Sequence, residues 1–166
     1  CYSLERVARL GAGERVLIHQ ATGGLGMAAI EVARHLGAEI FATAGSEEKR
    51  GFLKGLGIER VYPSRDLSFV DGIRRDTGGE GVDVVLSAQT GLAQHESLGL
   101  LRPGGRFIEV GKKDIIDDAG LPLRAFNENL SFASVDMDRL TKERPELIRE
   151  LLLQTVERFN AGIFHS

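Results

Sequence analysis

The sequence predicts an α/β fold, a doubly wound and mainly parallel six-stranded sheet with helices on both faces in three αβα layers. Short, almost wholly apolar segments alternate with segments whose apolar residues recur at helical spacing. Strands that are apolar throughout, rather than on one face, are typical of parallel sheets covered on both sides. Glycine-rich turns such as TGGEG and PGG separate these segments and mark their boundaries.

The first two strand and helix pairs follow directly from this pattern. Residues 15–20 (RVLIHQ) and 39–44 (EIFATA) are predicted strands. Residues 24–36 carry apolar side chains at helical spacing, and a glycine follows them. A second helix is predicted over residues 46–56, with Ser46 as its N-cap and two glutamates in its first turn.

The remaining elements continue the alternation. The further predicted strands are residues 60–62, 82–86, 106–110 and 130–135. The further predicted helices are residues 66–77, 91–101 and 143–160, the last of them long and amphipathic. Residues 103–105 (PGG) are predicted to form the turn that separates the fourth helix from the fifth strand.

Length and composition indicate one globular domain over residues 1–166. The 166 residues are 42% hydrophobic and 27% charged, and the net charge of −3 gives no reason to expect nucleic acid or an anionic membrane as partner. No apolar run approaches the roughly 20 residues that span a bilayer, and no signal peptide is recognisable. Cys1 is the only cysteine, which favours a reducing, cytoplasmic setting, and the scattered histidines predict no metal site.

Residues 16–26 (VLIHQATGGLG) run from an apolar strand through a glycine turn into a helix, as in the dinucleotide fingerprint G-x-G-x-x-G. Ala21 replaces its first glycine. Gly26 is expected to let the helix pack closely on the strand, while helix N–H groups face the pyrophosphate. The predicted pyrophosphate contacts are Thr22, Gly23, Gly24, Leu25 and Gly26. These features predict a Rossmann fold with a ligand crevice where the strand order reverses.

The end of the second strand favours NADP over NAD. Enzymes that use NAD place an acidic residue there for the ribose hydroxyls, and this chain has none. Ser46 and Lys49 are predicted to bind the 2′-phosphate, whereas Arg50 fits better as part of the solvated helix face. Arg65 is a further candidate, with a surface ion pair to Asp66 as the equal alternative.

Two polar residues at strand ends invite a catalytic interpretation. His19 lies beside the glycine turn, where a hydrogen-bonded structural histidine is favoured over a catalytic one. Ser87 has no neighbouring histidine in the sequence, so covalent catalysis is not expected.

The stretch VLIHQATGGLGMAAIEVARHLGAEIFATAGSEEKR resembles the enoyl reductase domain of type I polyketide synthases and animal fatty acid synthases. These domains form a zinc-free branch of the medium-chain dehydrogenase/reductase superfamily. The likeness continues through PSRDLSF, TGGEGVDVVLSAQTG, LLRPGGRFIEVGKKDI and VDMD. It implies NADPH-dependent reduction of a trans-2-enoyl thioester held on an acyl carrier protein, with hydride delivered to the β carbon and a proton to the α carbon.

The same resemblance implies Lys112 and Asp136 as the catalytic proton-donor candidates, with Asp138 as the alternative to Asp136. Both positions follow carboxyl ends of strands, where they face the nicotinamide end of the crevice. A buried acid beside an ammonium is expected to tune either pKa toward neutrality. Ser87 and Gly111 are the predicted cofactor contacts at this end.

Two departures from the family leave alternatives open. The family's Asn-Ser-Leu after the fourth strand is replaced by Ser87-Ala88-Gln89, which supports a non-catalytic NADP-binding module. The family's GroES-like substrate domain is also missing, which implies a fragment, inactive by itself, of a synthase with other domains in cis. A homodimer stays open. A free-standing NADPH quinone oxidoreductase is a further rival, against which the Ser-Arg-Asp and Gly-Lys-Lys-Asp segments weigh.

Overall fold

A six-stranded parallel sheet forms the centre of the computed structural model. The structure describes residues 1–165, and Ser166, the last residue of the predicted domain, lies outside the described residues. The strands are β1 Arg15–Ile18, β2 Glu39–Ala44, β3 Arg60–Pro63, β4 Val82–Ser87, β5 Leu101–Glu109 and β6 Ser131–Ser134. Their order is β3-β2-β1-β4-β5-β6, and every neighbouring pair is parallel. The predicted doubly wound fold is confirmed, and the order reverses between β1 and β4.

Helices cover both faces of the sheet. They are α1 Gly24–His35, α2 Glu47–Gly55, α3 Ser68–Asp76, α4 Gly91–Leu98, α5 Lys113–Ile116, α6 Met137–Glu143 and α7 Pro145–Asn160, with a π-helical turn at Tyr2–Val7 and a 3₁₀ helix at Leu123–Glu128. One buried cluster joins the N-terminal turn, α1 and α2 to the sheet, for example through Leu4, Ile30 and Leu53. The other joins α3 and α4 to the opposite face through residues such as Phe69 and Leu98.

The predicted turn at residues 103–105 is instead an irregularity inside β5. Leu101 pairs with Val82 and Arg106 pairs with Val84, so the intervening residues bulge out of the ladder. A Cβ on Gly105 would stand 2.8 Å from the Arg102 carbonyl oxygen, so only glycine fits in this bulge. The helix predicted over residues 91–101 is therefore too long, because pairing with β4 already begins at Leu101.

The helix predicted over residues 143–160 begins later, at Pro145, and a separate helix, α6, precedes it. Arg144 has a non-helical backbone, with φ −135° and ψ 56°, and separates α6 from α7. The ring of Pro145 disfavours helical geometry at the preceding residue, yet suits the first position of a new helix. The first strand is also shorter than predicted, because it ends at Ile18 and leaves His19 and Gln20 in the turn.

Candidate functional site

The glycine turn after β1 leaves the start of α1 open. Gly23 is the N-cap and provides no side-chain cap, and the first turn of the helix contains no acidic residue. A Cβ on Gly26 would lie 2.5 Å from the Cα of Ala21, so the predicted close packing at Gly26 is confirmed. A Cβ on Gly24 would meet nothing within 4 Å. The helix therefore presents uncapped N–H groups and open space to an anion, as the pyrophosphate prediction requires.

His19 is a buried structural residue beneath this turn, as the sequence favoured. Its Nδ1 lies 3.1 Å from the Thr43 Oγ1 and its Nε2 lies 2.9 Å from the Ser97 Oγ. Burial lowers the pKa of His19 to about 4, so the ring is neutral at pH 7. The His19 ring also packs against the Phe69 ring in a T-shaped arrangement, with ring centroids 5.1 Å apart.

The partners of the two hydroxyls fix the direction of each hydrogen bond to His19. The Ser97 hydroxyl donates to the Ala93 carbonyl at 2.7 Å, so it accepts from the His19 Nε2–H. The His19 Nδ1 then accepts from the Thr43 hydroxyl, which itself accepts from the Gln20 N–H at 3.1 Å. One chain of hydrogen bonds therefore runs from α4 to the backbone of the glycine turn.

The carboxyl end of β2 carries the residues predicted to choose the cofactor. Ser46 is the N-cap of α2, and its Oγ accepts from the Lys49 backbone N–H at 3.3 Å, which confirms the predicted cap. The Lys49 side chain is exposed. Arg50 turns back to the end of the strand, with its Nη1 3.4 Å from the Ala44 carbonyl oxygen. Cationic side chains thus flank a strand end that has no carboxylate of its own.

Arg65 approaches the same strand end from the loop after β3. Its Nε lies 3.3 Å from where a Cβ on Gly45 would stand. Asp66 accepts from the backbone N–H of Ser68 at 2.9 Å and from the Ser68 hydroxyl. Within residues 1–165, Arg65 forms no ion pair with Asp66. Among the described residues the surface ion pair that was the alternative for Arg65 is therefore not formed, and the Arg65 guanidinium lies beside Gly45 at the end of β2.

At the other end of the crevice, Lys112 follows β5 and contacts both aspartates that follow β6. Its Nζ lies 3.0 Å from the Asp136 Oδ1 and 2.7 Å from the Asp138 Oδ2. Asp136 is the less exposed of the two, at 33% against 80%. The Asp136 Oδ1 also accepts from the Arg139 N–H at the start of α6. Lys112 and Asp136 are therefore brought together by neighbouring parallel strands.

The expected tuning of these two groups toward neutrality is wrong for this structure. Hydrogen bonds from Asp138 and Asp136 raise the pKa of Lys112, and the Lys112 ammonium lowers the pKa of Asp136. Neither group is buried enough for loss of hydration to outweigh the ion pair. At pH 7 Lys112 is protonated and Asp136 is ionised.

A buried carboxylate that the sequence analysis missed lies between these loops and β4. Glu109, at the end of β5, is 2% exposed. Its Oε2 accepts from the Gln94 Nε2 at 2.8 Å, and its Oε1 accepts from the Gly111 N–H at 2.6 Å. Ser87, paired with Glu109 across the two strands, is also buried, and its Oγ accepts from the Gln89 N–H at 2.8 Å. An acidic residue inside the apolar stretch FIEV was the signal for this group.

A largely apolar cleft of about 640 Å³ adjoins the site. It runs between the N-terminal turn, α1 and α7, and Leu25 of the glycine turn and Met137, next to Asp136, contribute to it. Several α7 side chains expose apolar surface there, among them Leu152 at 61% and Phe159 at 46%. No sequence motif indicated this cleft, because it depends on how distant helices meet.

Two further properties concern the part of the chain that the structure describes. Over residues 1–165, no helix is both long and apolar enough to cross a membrane. Over the same residues, no three His, Cys, Asp or Glu side chains are grouped so that they can hold a metal ion.

Comparison with known proteins gives one matching family and several close relatives. The zinc-binding dehydrogenase family matches residues 24–152. Phthioceranic/hydroxyphthioceranic acid synthase of Mycobacterium tuberculosis H37Rv is 53% identical over 161 residues, which are 97% of this chain and 8% of the synthase. A mycocerosic acid synthase-like polyketide synthase of Mycolicibacterium smegmatis is 55% identical over 149 residues, 90% of this chain and 7% of that protein. The chain thus spans less than a tenth of the length of these relatives.

Solved structures give the same result for the fold. The nucleotide-binding subdomain of the enoylreductase domain of PpsC from Mycobacterium tuberculosis is 48% identical, with a TM-score of 0.94 over 99% of this chain and 92% of that one. A putative enoyl reductase domain of polyketide synthase is 46% identical, with a TM-score of 0.91 over 98% of this chain and 89% of that one. CurK enoyl reductase is 40% identical, with a TM-score of 0.86, and this chain covers 48% of it.

Proposed function

Because this chain belongs to the zinc-binding dehydrogenase family, we propose that it binds NADPH. As the nucleotide-binding subdomain of a polyketide synthase enoyl reductase, it forms the cofactor-binding half of an active enzyme. The substrate is a trans-2-enoyl thioester on an acyl carrier protein, and the product is the saturated acyl thioester. Residues 1–166 are one domain of a synthase whose other domains lie in cis. The observation that carries this proposal is the Lys112–Asp136 ion pair, 3.0 Å long, at the edge of the sheet that holds the glycine turn.

The described residues fit a bound NADPH. The uncapped start of α1 and the open space at Gly24 suit a pyrophosphate. The basic residues at the end of β2 suit a 2′-phosphate, with Arg65 and the Ser46 hydroxyl as its expected partners. When bound, NADPH supplies the hydride for the β carbon. Within residues 1–165 no group of His, Cys, Asp or Glu side chains fits the zinc of the family's description, and no residue role proposed below depends on it.

The charge states support a division of roles between the two catalytic candidates. Lys112 keeps its proton at pH 7, since its aspartate partners raise its pKa. Asp136 is ionised, because the ammonium lowers its pKa, and it has no proton to give. We assign proton donation at the α carbon to the Lys112 Nζ and orientation of that ammonium to Asp136. Lys112 is 44% exposed, so solvent returns its proton after each turnover.

The cofactor proposal is tested by titration calorimetry of this chain with NADPH and NADH. We expect tighter binding of NADPH, because the end of β2 contributes no acidic residue and the Arg65 guanidinium lies beside Gly45. Arg65→Ala should weaken NADPH binding by about tenfold and leave NADH binding unchanged, as befits one charge-assisted contact. Arg124→Ala, which removes an exposed cation from the segment between β5 and β6, is the matched control. Equal affinity for the two cofactors would refute the 2′-phosphate assignment.

A further inference from the structure

Glu109 is a buried carboxylate that neither cofactor binding nor proton donation uses. It lies at the carboxyl end of β5 and is 2% exposed, within a strand whose neighbouring side chains are apolar. Burial is the main cause that raises its pKa, so this environment disfavours the charge. An apolar side chain would pack here without that cost. The position therefore calls for an explanation through the groups that the carboxylate contacts.

Both carboxylate oxygens have defined donors. The Gln94 Nε2 of α4 donates to Oε2 at 2.8 Å, and the Gly111 N–H donates to Oε1 at 2.6 Å. Gly111 immediately precedes Lys112 in the chain. The side chain of Glu109 thus ties the backbone that carries Lys112 to helix α4.

The main chain of Glu109 supports the other member of the pair. Its carbonyl oxygen accepts from the Val135 N–H at 2.8 Å. Val135 immediately precedes Asp136. One residue therefore lies at the base of both loops whose side chains meet in the Lys112–Asp136 ion pair.

Gly111 is held from two sides, which leaves little freedom to the backbone before Lys112. A Cβ on Gly111 would lie 2.8 Å from the Glu109 Oε1 and 3.2 Å from the Ala88 Cα. The preceding N–H, of Val110, donates to the Ser87 carbonyl oxygen at 2.8 Å. The Gly111 N–H is already taken by Glu109, so any cofactor contact of Gly111 uses its carbonyl or its Cα face.

We propose that Glu109 is a positioning residue of the enoyl reductase, whose carboxylate fixes the Gly111 backbone so that the Lys112 ammonium stays beside Asp136. This inference rests on the proposed role of that pair in protonation. The effect is geometric, since the carboxylate acts through the loop and touches neither Lys112 nor Asp136.

The first test uses this chain without substrate or cofactor, by NMR titration of the Asp136 side-chain carboxyl. In the native chain the pKa of Asp136 lies below its usual value because Lys112 is close. Glu109→Ala frees the loop and should raise the pKa of Asp136 toward its usual range, because the contact with Lys112 is lost while the Arg139 N–H still donates to the carboxylate. Glu109→Gln should keep the native value, because the introduced amide oxygen still accepts from the Gly111 N–H and the Gln94 amide can turn to accept from the introduced NH₂ group.

A second variant keeps the test decisive if Glu109→Ala fails to fold. Gly111→Ala leaves the buried charge intact and forces the loop away from Glu109 and Ala88. It should raise the pKa of Asp136 as well. The proposal is overturned if the pKa of Asp136 in Glu109→Ala equals the native value. If Glu109→Ala is unfolded, the same result in Gly111→Ala overturns it.

The second test measures enoyl thioester reduction by the full-length enzyme. Glu109→Ala should lower kcat by at least about tenfold and change the KM for NADPH by less than that, since the displaced Lys112 slows protonation more than it affects cofactor binding. Glu109→Gln should restore most of the rate. Equal losses in both variants would show that the charge itself is required and would overturn the geometric role. If Lys112→Ala leaves turnover unchanged, the proposed function fails, whereas the titration of Asp136 still decides whether Glu109 positions the loop.

Discussion

Lowering the pH from about 7.5 to about 5 should destabilise this chain through His19, because only the unfolded state takes up a proton there. Burial holds the folded pKa of His19 at about 4, whereas an unfolded histidine has a pKa of about 6.5. The stabilising effect is therefore fully present above the unfolded pKa and is lost as the pH falls toward the folded one. The difference between the two pKa values corresponds to about 3 kcal/mol in the free energy of unfolding, of which about 2 kcal/mol is lost by about pH 5.

The assay is urea unfolding of the native chain and of His19→Gln at about pH 7.5, 6 and 5, where most carboxylates remain ionised. The substitution lowers stability at every pH, because the contacts to Thr43 and Ser97 change. It should nevertheless remove about 2 kcal/mol of the pH dependence. His35→Gln, at an exposed histidine, is the matched control and should leave that dependence in place. Parallel curves for the native chain and His19→Gln would refute the neutral buried histidine.

The two glycines of the turn should separate packing from binding. Gly26→Ala should lower the free energy of unfolding, measured in urea, by about 1–3 kcal/mol, since a clash with the Ala21 backbone outweighs the roughly 1 kcal/mol gain in helix propensity. Unchanged stability would disprove the tight contact. Gly24→Ala meets no neighbour, so it should leave stability intact while weakening NADPH binding in calorimetry, and undiminished affinity would remove Gly24 from the phosphate site. In the full-length enzyme, Lys112→Ala should slow α-carbon protonation by at least about 10²-fold and Asp136→Asn by less, as measured by NADPH oxidation with a crotonyl thioester. A normal rate in the double variant would exclude both from the site.

The sequence predicted those features that depend on local chemistry. The strands β2 and β4 are short and mostly apolar, which is a local pattern. Ser46 caps α2, and a serine before acidic residues is a local signal as well. Gly26 was predictable for the same reason, since the fingerprint encodes a contact within a few residues of the chain.

The features that the sequence missed depend on contacts between distant segments. The bulge at residues 103–105 became part of β5 because Val82 offers Leu101 a pairing partner, which no local turn signal reveals. The contacts of Glu109 come from α4 and from its own loop, so its role is visible only once those elements meet. The pKa values of Lys112 and Asp136 depend on exposure, and sequence alone gave the wrong direction for them.

The alanine at the first fingerprint position has a consequence for how this turn tolerates sequence drift. The left-handed backbone falls on Gln20, with φ 50°, and Ala21 avoids positive φ. Hydrogen bonds from Gln20 and Ala21 to Thr43 hold this geometry, and the Ala21 methyl group is fully buried in the core. Glycine at position 21 would gain no backbone freedom that the turn uses, and it would leave a small void. The turn therefore accommodates alanine at its first position and excludes any side chain at Gly26.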